Sequence, residues 1–261
     1  MKAMRDYILW IDPIPRAGWQ NMAIDTALLE CAQAGERWIR LYGWEPHCLS
    51  FGRHEPAARR YDAARVEALG LATVRRPTGG RAVWHARELT YAVAAPGECL
   101  GALDEAYRDI HLVLRDALCA LGVEAALAPA QRAAGVDAGA CFASPAGGEV
   151  TVGGRKVVGS AQLRDRGALL QHGSLLLEDD QATVTSVTRG EPPLDASAPL
   201  ARLLGRAVPR ERAADAVAAA AARRWGPPAA RVETPGAVLA RAERHGPWFR
   251  SPGWTWAGRA A

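Results

Sequence analysis

A chain of 261 residues with 49% apolar side chains has room for one large α/β domain and enough apolar material to bury its core, which excludes global disorder. No apolar run nears the roughly 20 residues that span a bilayer, and Asp6, Asp12, Pro13 and Pro15 interrupt the opening segment, so neither a membrane partner nor a signal peptide is expected and the cytoplasm is the default compartment. The net charge of +4 suits an acidic protein or a nucleic acid equally, but no zinc-finger spacing, RNP-like strand or basic tail supports the second.

In chain order, residues 20–34 place Met22, Ile24, Ala27, Leu28 and Cys31 at mixed three- and four-residue spacing, which predicts an amphipathic helix. Residues 37–42 and 48–52 read as strands around the turn GWEPH, and 61–70 as a helix closed by Gly70. TVRRPTGGRAVWH (73–85) reads as strand, glycine turn, strand, followed by a strand over 88–96. A long helix over 103–121 carries Tyr107, Ile110, Leu114, Leu118 and Leu121 along one stripe. Residues 128–148 are too poor in large apolar side chains for a core element and read as a loop of the functional or mobile kind. EVTVG (149–153) and RKVVGSA (155–161) form a predicted hairpin around Gly153-Gly154, and 168–177 a further strand. Beyond about residue 180, proline-rich connections join alanine-rich helices over 211–225 and 235–244, ahead of a Trp-rich tail that reads as a packing anchor. The expectation is an α/β (α+β) fold with a mixed or antiparallel sheet flanked by helices. Residues 1–190 would form a catalytic domain and 191–261 a helical extension packed on it.

Five cysteines, odd in number and without a C-x-x-C pair, argue against a disulfide framework and a structural zinc site. Cys31 and Cys119 lie in helical stretches and read as buried small hydrophobes.

Three stretches stand apart from a generic domain. In RRPTGGRAVWH, Gly79 and Gly80 allow positive φ and close approach to a ligand, Arg76 and Arg81 are possible anion partners, and His85 ends the next strand. A glycine hairpin with solvated arginines explains the same pattern equally well. In the second stretch Lys156 follows the hairpin turn, where a surface strand lysine is the plainer reading. Gly159-Ser160-Ala161-Gln162 and Gln171-His172-Gly173-Ser174 then offer small residues and hydrogen-bonding groups on adjacent strands, although a lone strand histidine is more often structural. In the third, Cys141 sits in GACFASP with only Phe142 as a large apolar neighbour. A thiol in such a setting becomes nucleophilic when a nearby cation lowers its pKa, and Lys156 on the following hairpin is the candidate cation.

Taken together, NMAIDTALL, LYGWEPHCLSFGR, RRPTGGRAVWHARELTYAV and LQHGSLLL resemble, in order over roughly the first 180 residues, the biotin/lipoate A/B protein ligase family. Gly79-Gly80-Arg81 and Cys141-Phe142, with Lys156 at the family's lysine position, look most like its cysteine-dependent octanoyltransferase branch. The resemblance implies a fold like that of biotin protein ligase and class II aminoacyl-tRNA synthetases. It also implies ping-pong transfer of octanoyl from acyl carrier protein, through a Cys141 thioester, to a lysine of a lipoyl domain or glycine-cleavage H protein. Lys156 would bind the acyl carbonyl and favour the thiolate. Arg76, Gly79, Gly80, Arg81, His85, Gly159, Ser160, Ala161, His172 and Gly173 would line the substrate site, with no metal or cofactor; a monomer is the default oligomeric state. Two departures stand out: Ala86 replaces a common aspartate, and AGGEV (146–150) a more aromatic stretch that keeps Glu149. The competing readings are an ATP-dependent lipoate ligase and a non-catalytic acyl- or lipoyl-binding protein.

Overall fold

A computed structural model describes residues 4–129, 148–178, 181–190 and 197–258. Twelve strands are present among them: β1 (Ile8–Ile11), β2 (Trp38–Tyr42), β3 (Cys48–Phe51), β4 (Ala72–Arg75), β5 (Val83–His85), β6 (Glu88–Pro96), β7 (Ala125–Leu127), β8 (Val150–Val152), β9 (Arg155–Lys156), β10 (Val158–Asp165), β11 (Ala168–Leu176) and β12 (Ala230–Val232). The main sheet has the order β10-β11-β6-β2-β1-β12, parallel at β2-β1-β12 and antiparallel elsewhere. Helices cover both of its faces, so the fold is the expected mixed α/β. The helix Gly18–Gln33 packs with Trp10, Trp38, Tyr42 and Leu170 on one side, and Leu103–Leu121 and Arg210–Trp225 pack with Leu9, Ile39, Leu41 and Val93 on the other. Alternate strand residues therefore feed two different cores.

Coverage on both faces explains why β2 is buried throughout rather than on alternate residues. Arg40, in its centre, is fully buried. Its guanidinium meets Asp12 and Asn21 at 2.8 Å and Asp25 at 3.3 Å, and lies 3.9 Å above the Tyr42 ring. Asp12, at the end of β1, is the residue that seemed only to break the N-terminal apolar stretch. It ends the strand and supplies a counter-charge. Β1 itself, too short to show a period, gives no strand signal in the sequence.

Four other expectations change. Residues 73–85 do not form a hairpin, because β3 lies between β4 and β5, parallel to the first and antiparallel to the second. The glycine segment therefore crosses over the end of β3. The single strand expected over 155–161 divides at Val157, with Lys156 pairing Thr151 in a β7-β8-β9 sheet and Val158 pairing Leu175 in the main one. The predicted hairpin turn at Gly153-Gly154 is present between β8 and β9. Cys119 is exposed, unlike Cys31, since it stands one residue, about 100° of helical turn, past the buried stripe at Leu114 and Leu118. In the C-terminal region, residues 230–232 are not connecting coil but a strand paired parallel to β1.

The Trp-rich tail is anchored through Arg75, whose neighbour Arg76 alone drew attention in the sequence. The buried Arg75 guanidinium donates to the carbonyls of Trp254 (2.8 Å), Thr255 (3.0 Å) and Trp256 (3.2 Å) on one side and of Gly52 (2.6 Å) and Glu55 (2.8 Å) on the other. It ties the final turn to the end of β3. Among the described residues no helix is long and apolar enough to cross a membrane.

Candidate active site

The segment 76–82 is shaped from within by Arg76. Its Nη1 donates to the Ser50 carbonyl (3.1 Å) and hydroxyl (2.5 Å), and its Nη2 to the carbonyls of Gly79 (3.1 Å) and Arg81 (2.9 Å). Those contacts bend the chain back on β3 and present Gly80, at φ +89°, to a cavity; an L side chain rarely adopts that conformation.

The cavity lies between this loop and the paired stretches of β10 and β11. Arg76, Gly80, His85, Gly159, Ser160, Ala161, His172 and Gly173 line it, all named from the sequence. Met22, Tyr42, Trp44 and Val83 add apolar walls that the sequence reading did not select. Two strands with small residues at facing positions leave room where larger side chains would fill it, since Gly159 registers with Ser174 and Ser160 with Gly173.

Both histidines have their ring nitrogens occupied by protein. His85 Nδ1 meets Glu88 Oε1 at 2.8 Å and Nε2 meets Ser50 Oγ at 2.6 Å, while its ring stacks on Trp44 with centroids 3.9 Å apart. Burial holds its pKa below the ordinary value, against the opposing pull of Glu88. Glu88 thus orients His85 without help from position 86, where Ala86 is buried. His172 Nδ1 meets Asp25 Oδ2 at 2.7 Å, and Nε2 meets Thr78 Oγ1 at 2.6 Å. The two rings wall the cavity, each set by a carboxylate and a hydroxyl.

Lys156 does not line the cavity but lies behind its rim. It is buried, with Nζ 2.5 Å from Glu149 Oε1. Glu149 also accepts from the Tyr107 hydroxyl at 3.4 Å, and Tyr107 packs on His111 with ring centroids 4.0 Å apart. His111 in turn contacts Gly148 O through Nδ1 (2.7 Å) and the cavity hydroxyl of Ser160 through Nε2 (2.8 Å). Nearby, Gly148 N donates to Ala128 O and Ala128 N to Glu149 O, at 2.9 and 2.8 Å, which clamps together the chain on either side of residues 130–147. Cys141 falls in that stretch, outside the described residues.

Burial pushes His111 down to about 4; the Gly148 hydrogen bond opposes the shift and the charge of Lys156 adds to it. An unfolded chain binds a proton near the ordinary value of 6.5, while the folded one resists until about 4. The unfolded state therefore holds more protons between those values, and stability should fall by about 3 kcal/mol as pH drops through that window. Urea midpoints at pH 7 and 4.5 test this: His111→Gln should lose less stability on acidification than wild type, and equal losses would refute the assignment.

Of the residues named from the sequence, eight line one cavity, and Lys156 joins it through Glu149, Tyr107 and His111. Gly79 and Arg81 serve instead as carbonyl acceptors for Arg76. His111, Trp44, Ser50, Glu88 and Asp25 also build the site, and the sequence does not single them out. Only His111 left a trace: it stands beside Ile110 on the apolar stripe of the helix, where a titratable side chain must find buried partners.

Residues 17–222 match the family described as lipoyl protein ligase A/B catalytic domain. Octanoyltransferase LipM of Symbiobacterium thermophilum is 39% identical over 252 residues, 90% of each chain. Octanoyltransferase LipM of Kyrpidia tusciae is 44% identical over 180 residues, so the chain spans 65% of that relative's length and the match 65% of this one. Among solved structures, lipoate-protein ligase A bound with ATP superposes with a TM-score of 0.82 over 98% of this chain and 100% of that one, at 16% identity, a likeness of fold.

Proposed function

The chain belongs to the lipoyl protein ligase A/B catalytic domain family, and we propose that it transfers octanoyl from octanoyl-acyl carrier protein to a lysine of a lipoyl domain or glycine-cleavage H protein, through a thioester on Cys141, in the cytoplasm. The observation that carries this reading is the 39% identity to an octanoyltransferase over 90% of both chains. Two features of the site agree with it: the apolar cavity, and the buried Lys156–Glu149 pair beside the point where the Cys141 segment leaves and rejoins the sheet.

In the first half-reaction the Cys141 thiolate attacks the donor's thioester carbonyl. The new carbon–sulfur bond forms, the bond to the carrier's sulfur breaks, and the carrier leaves as a thiolate that takes a proton from solvent. In the second, the acceptor's neutral amine attacks the Cys141 thioester; an amide forms, the bond to Cys141 breaks, and the amine proton compensates the departing thiolate. Lys156 supplies a cation for the thiolate and the developing oxyanion. Among the described residues β10 is an edge strand of the main sheet, so alternate backbone groups along Gly159–Ala161 point away from β11 and can reach the acyl oxygen. Met22, Tyr42, Trp44 and Val83 receive the tail, at ~0.8 kcal/mol for each methylene buried.

Intact-protein mass spectrometry after incubation with octanoyl-acyl carrier protein, without ATP, tests the proposal. Wild type should gain one octanoyl adduct that hydroxylamine removes, and Cys141→Ser should lack it. No adduct from active carrier protein would end the thioester reading and leave an ATP-dependent ligase in its place.

A further inference from the structure

We infer that His111 is a positioning residue that sets the polarity of the Ser160 hydroxyl, so that Ser160 offers the cavity a hydrogen-bond acceptor for the incoming amine. The inference rests on the acyl-transfer reading of this cavity for its substrate, and on geometry for the polarity.

The direction of every bond in the chain can be assigned. Gly148 O is only an acceptor, so His111 Nδ1 carries the ring proton that lies between them. The neutral ring then has a lone pair on Nε2, and Ser160 must donate its single proton there, across 2.8 Å. With that proton committed, the 2.7 Å contact between Tyr91 and Ser160 runs from the phenol to the serine oxygen. Tyr91 accepts from Gln171 Nε2 at 2.8 Å, and Gln171 Oε1 accepts from Gln162 Nε2 at 2.8 Å, so no member is left with two donors facing. Ser160 lines the cavity, and its remaining lone pair is the only hydrogen-bonding capacity it can turn inward. The low pKa of the buried imidazole keeps the pattern in place at neutral pH.

A serine free to rotate would present either a donor or an acceptor. One held as an acceptor favours an N–H group over a carbonyl or carboxylate oxygen. In the proposed sequence of steps the substrate with N–H bonds to offer is the lysine amine of the second half-reaction, whereas the first brings a thioester, which has none at the reacting centre. The hydroxyl should therefore matter to transfer onto the acceptor and not to loading of the enzyme.

Two isosteres separate the ends of the ring. Asparagine at position 111 keeps a donor near Nδ1 for Gly148 and removes the acceptor for Ser160. Glutamine keeps an acceptor near Nε2. Enzyme loading by octanoyl-acyl carrier protein and discharge to a lipoyl-domain acceptor should be timed separately by mass spectrometry, alongside Ser160→Ala. His111→Asn and Ser160→Ala should each slow discharge about 10- to 100-fold, with loading near wild type and no further loss in the double variant. His111→Gln should restore most of the discharge rate. Multiplying effects, equal slowing of both half-reactions, or a glutamine variant as slow as the asparagine one would overturn the inference. Nitrogen-15 NMR of the wild-type His111 ring tests the polarity whether or not the enzyme loads. The proton is expected on Nδ1 and none on Nε2 at neutral pH, and the opposite tautomer or an imidazolium would also overturn it.

Discussion

Lys156→Met is expected to lower the rate of the proposed octanoyl transfer by about 10²–10³ and to destabilise the fold by about 3–5 kcal/mol. The two losses have different origins. Lys156 and Glu149 are both buried and meet at 2.5 Å, and deleting the cation leaves a carboxylate in a site of low dielectric without the charge that offsets its desolvation. Methionine fills most of the volume, so the stability loss reports charge rather than a cavity. In the proposed mechanism the acyl oxygen gains negative charge as the thioester is attacked, and the charge of Lys156 behind the cavity rim would lower that barrier where a neutral chain does not. Lys156→Met combined with Glu149→Gln separates the effects: the double variant should regain most of the stability, measured by urea unfolding, and stay as slow as the single one. Recovery of the rate together with stability would show that the lysine only holds the fold.

Gly52→Ala should cost about 3 kcal/mol or more and weaken substrate binding, through a clash that no rotamer relieves. A Cβ at position 52 would lie 1.9 Å from Gly80 O, 2.7 Å from Gly80 C and 3.1 Å from Gly79 O, all backbone atoms of the loop over the cavity. That loop cannot withdraw freely, since Arg76 grips it at Gly79 O and Arg81 O, and Arg75 holds Gly52 O at 2.6 Å. The strain must move either the end of β3 or Gly80 itself, one of the cavity's walls. Gly79→Ala is the control, because nothing lies within 4 Å of its added Cβ and its φ is not positive, so its unfolding midpoint should stay near wild type. Denaturation midpoints and the KM for the octanoyl donor check both variants; an unperturbed Gly52→Ala protein would mean that the loop stands off β3 in solution.

Gly52 also marks how far the sequence could be read. The run CLSFG reads as a strand ending in glycine, but nothing in it says that the loop carrying Gly79 and Gly80 will rest on that end. Similarly, RRPTGGRAVWH reads as a hairpin because its two apolar stretches flank paired glycines. Β3 enters between them, a non-local pairing that leaves no mark within the segment. His111 looks like one more residue of a helix stripe until Gly148 and Ser160, from 37 and 49 residues away, meet its two nitrogens.

What the sequence determined by itself was whatever depends on near neighbours in the chain. The helices over 20–34 and 103–121 follow from the period of their apolar residues, the turn at Gly153-Gly154 from backbone freedom, and the family from the order of its motifs. The small residues at Gly159–Ala161 and Gly173 were visible as such, but the space they leave between paired strands was not. Tertiary structure alone decided that Arg76 braces the loop from inside, that Arg75 anchors the tail, and that His85 and His172 wall the cavity with their nitrogens engaged. It also decided that Lys156 sits buried against Glu149. The physical reason is common to all of them: a buried polar side chain takes its role from the partners that satisfy its hydrogen bonds, and those partners come from distant strands whose pairing no local pattern encodes.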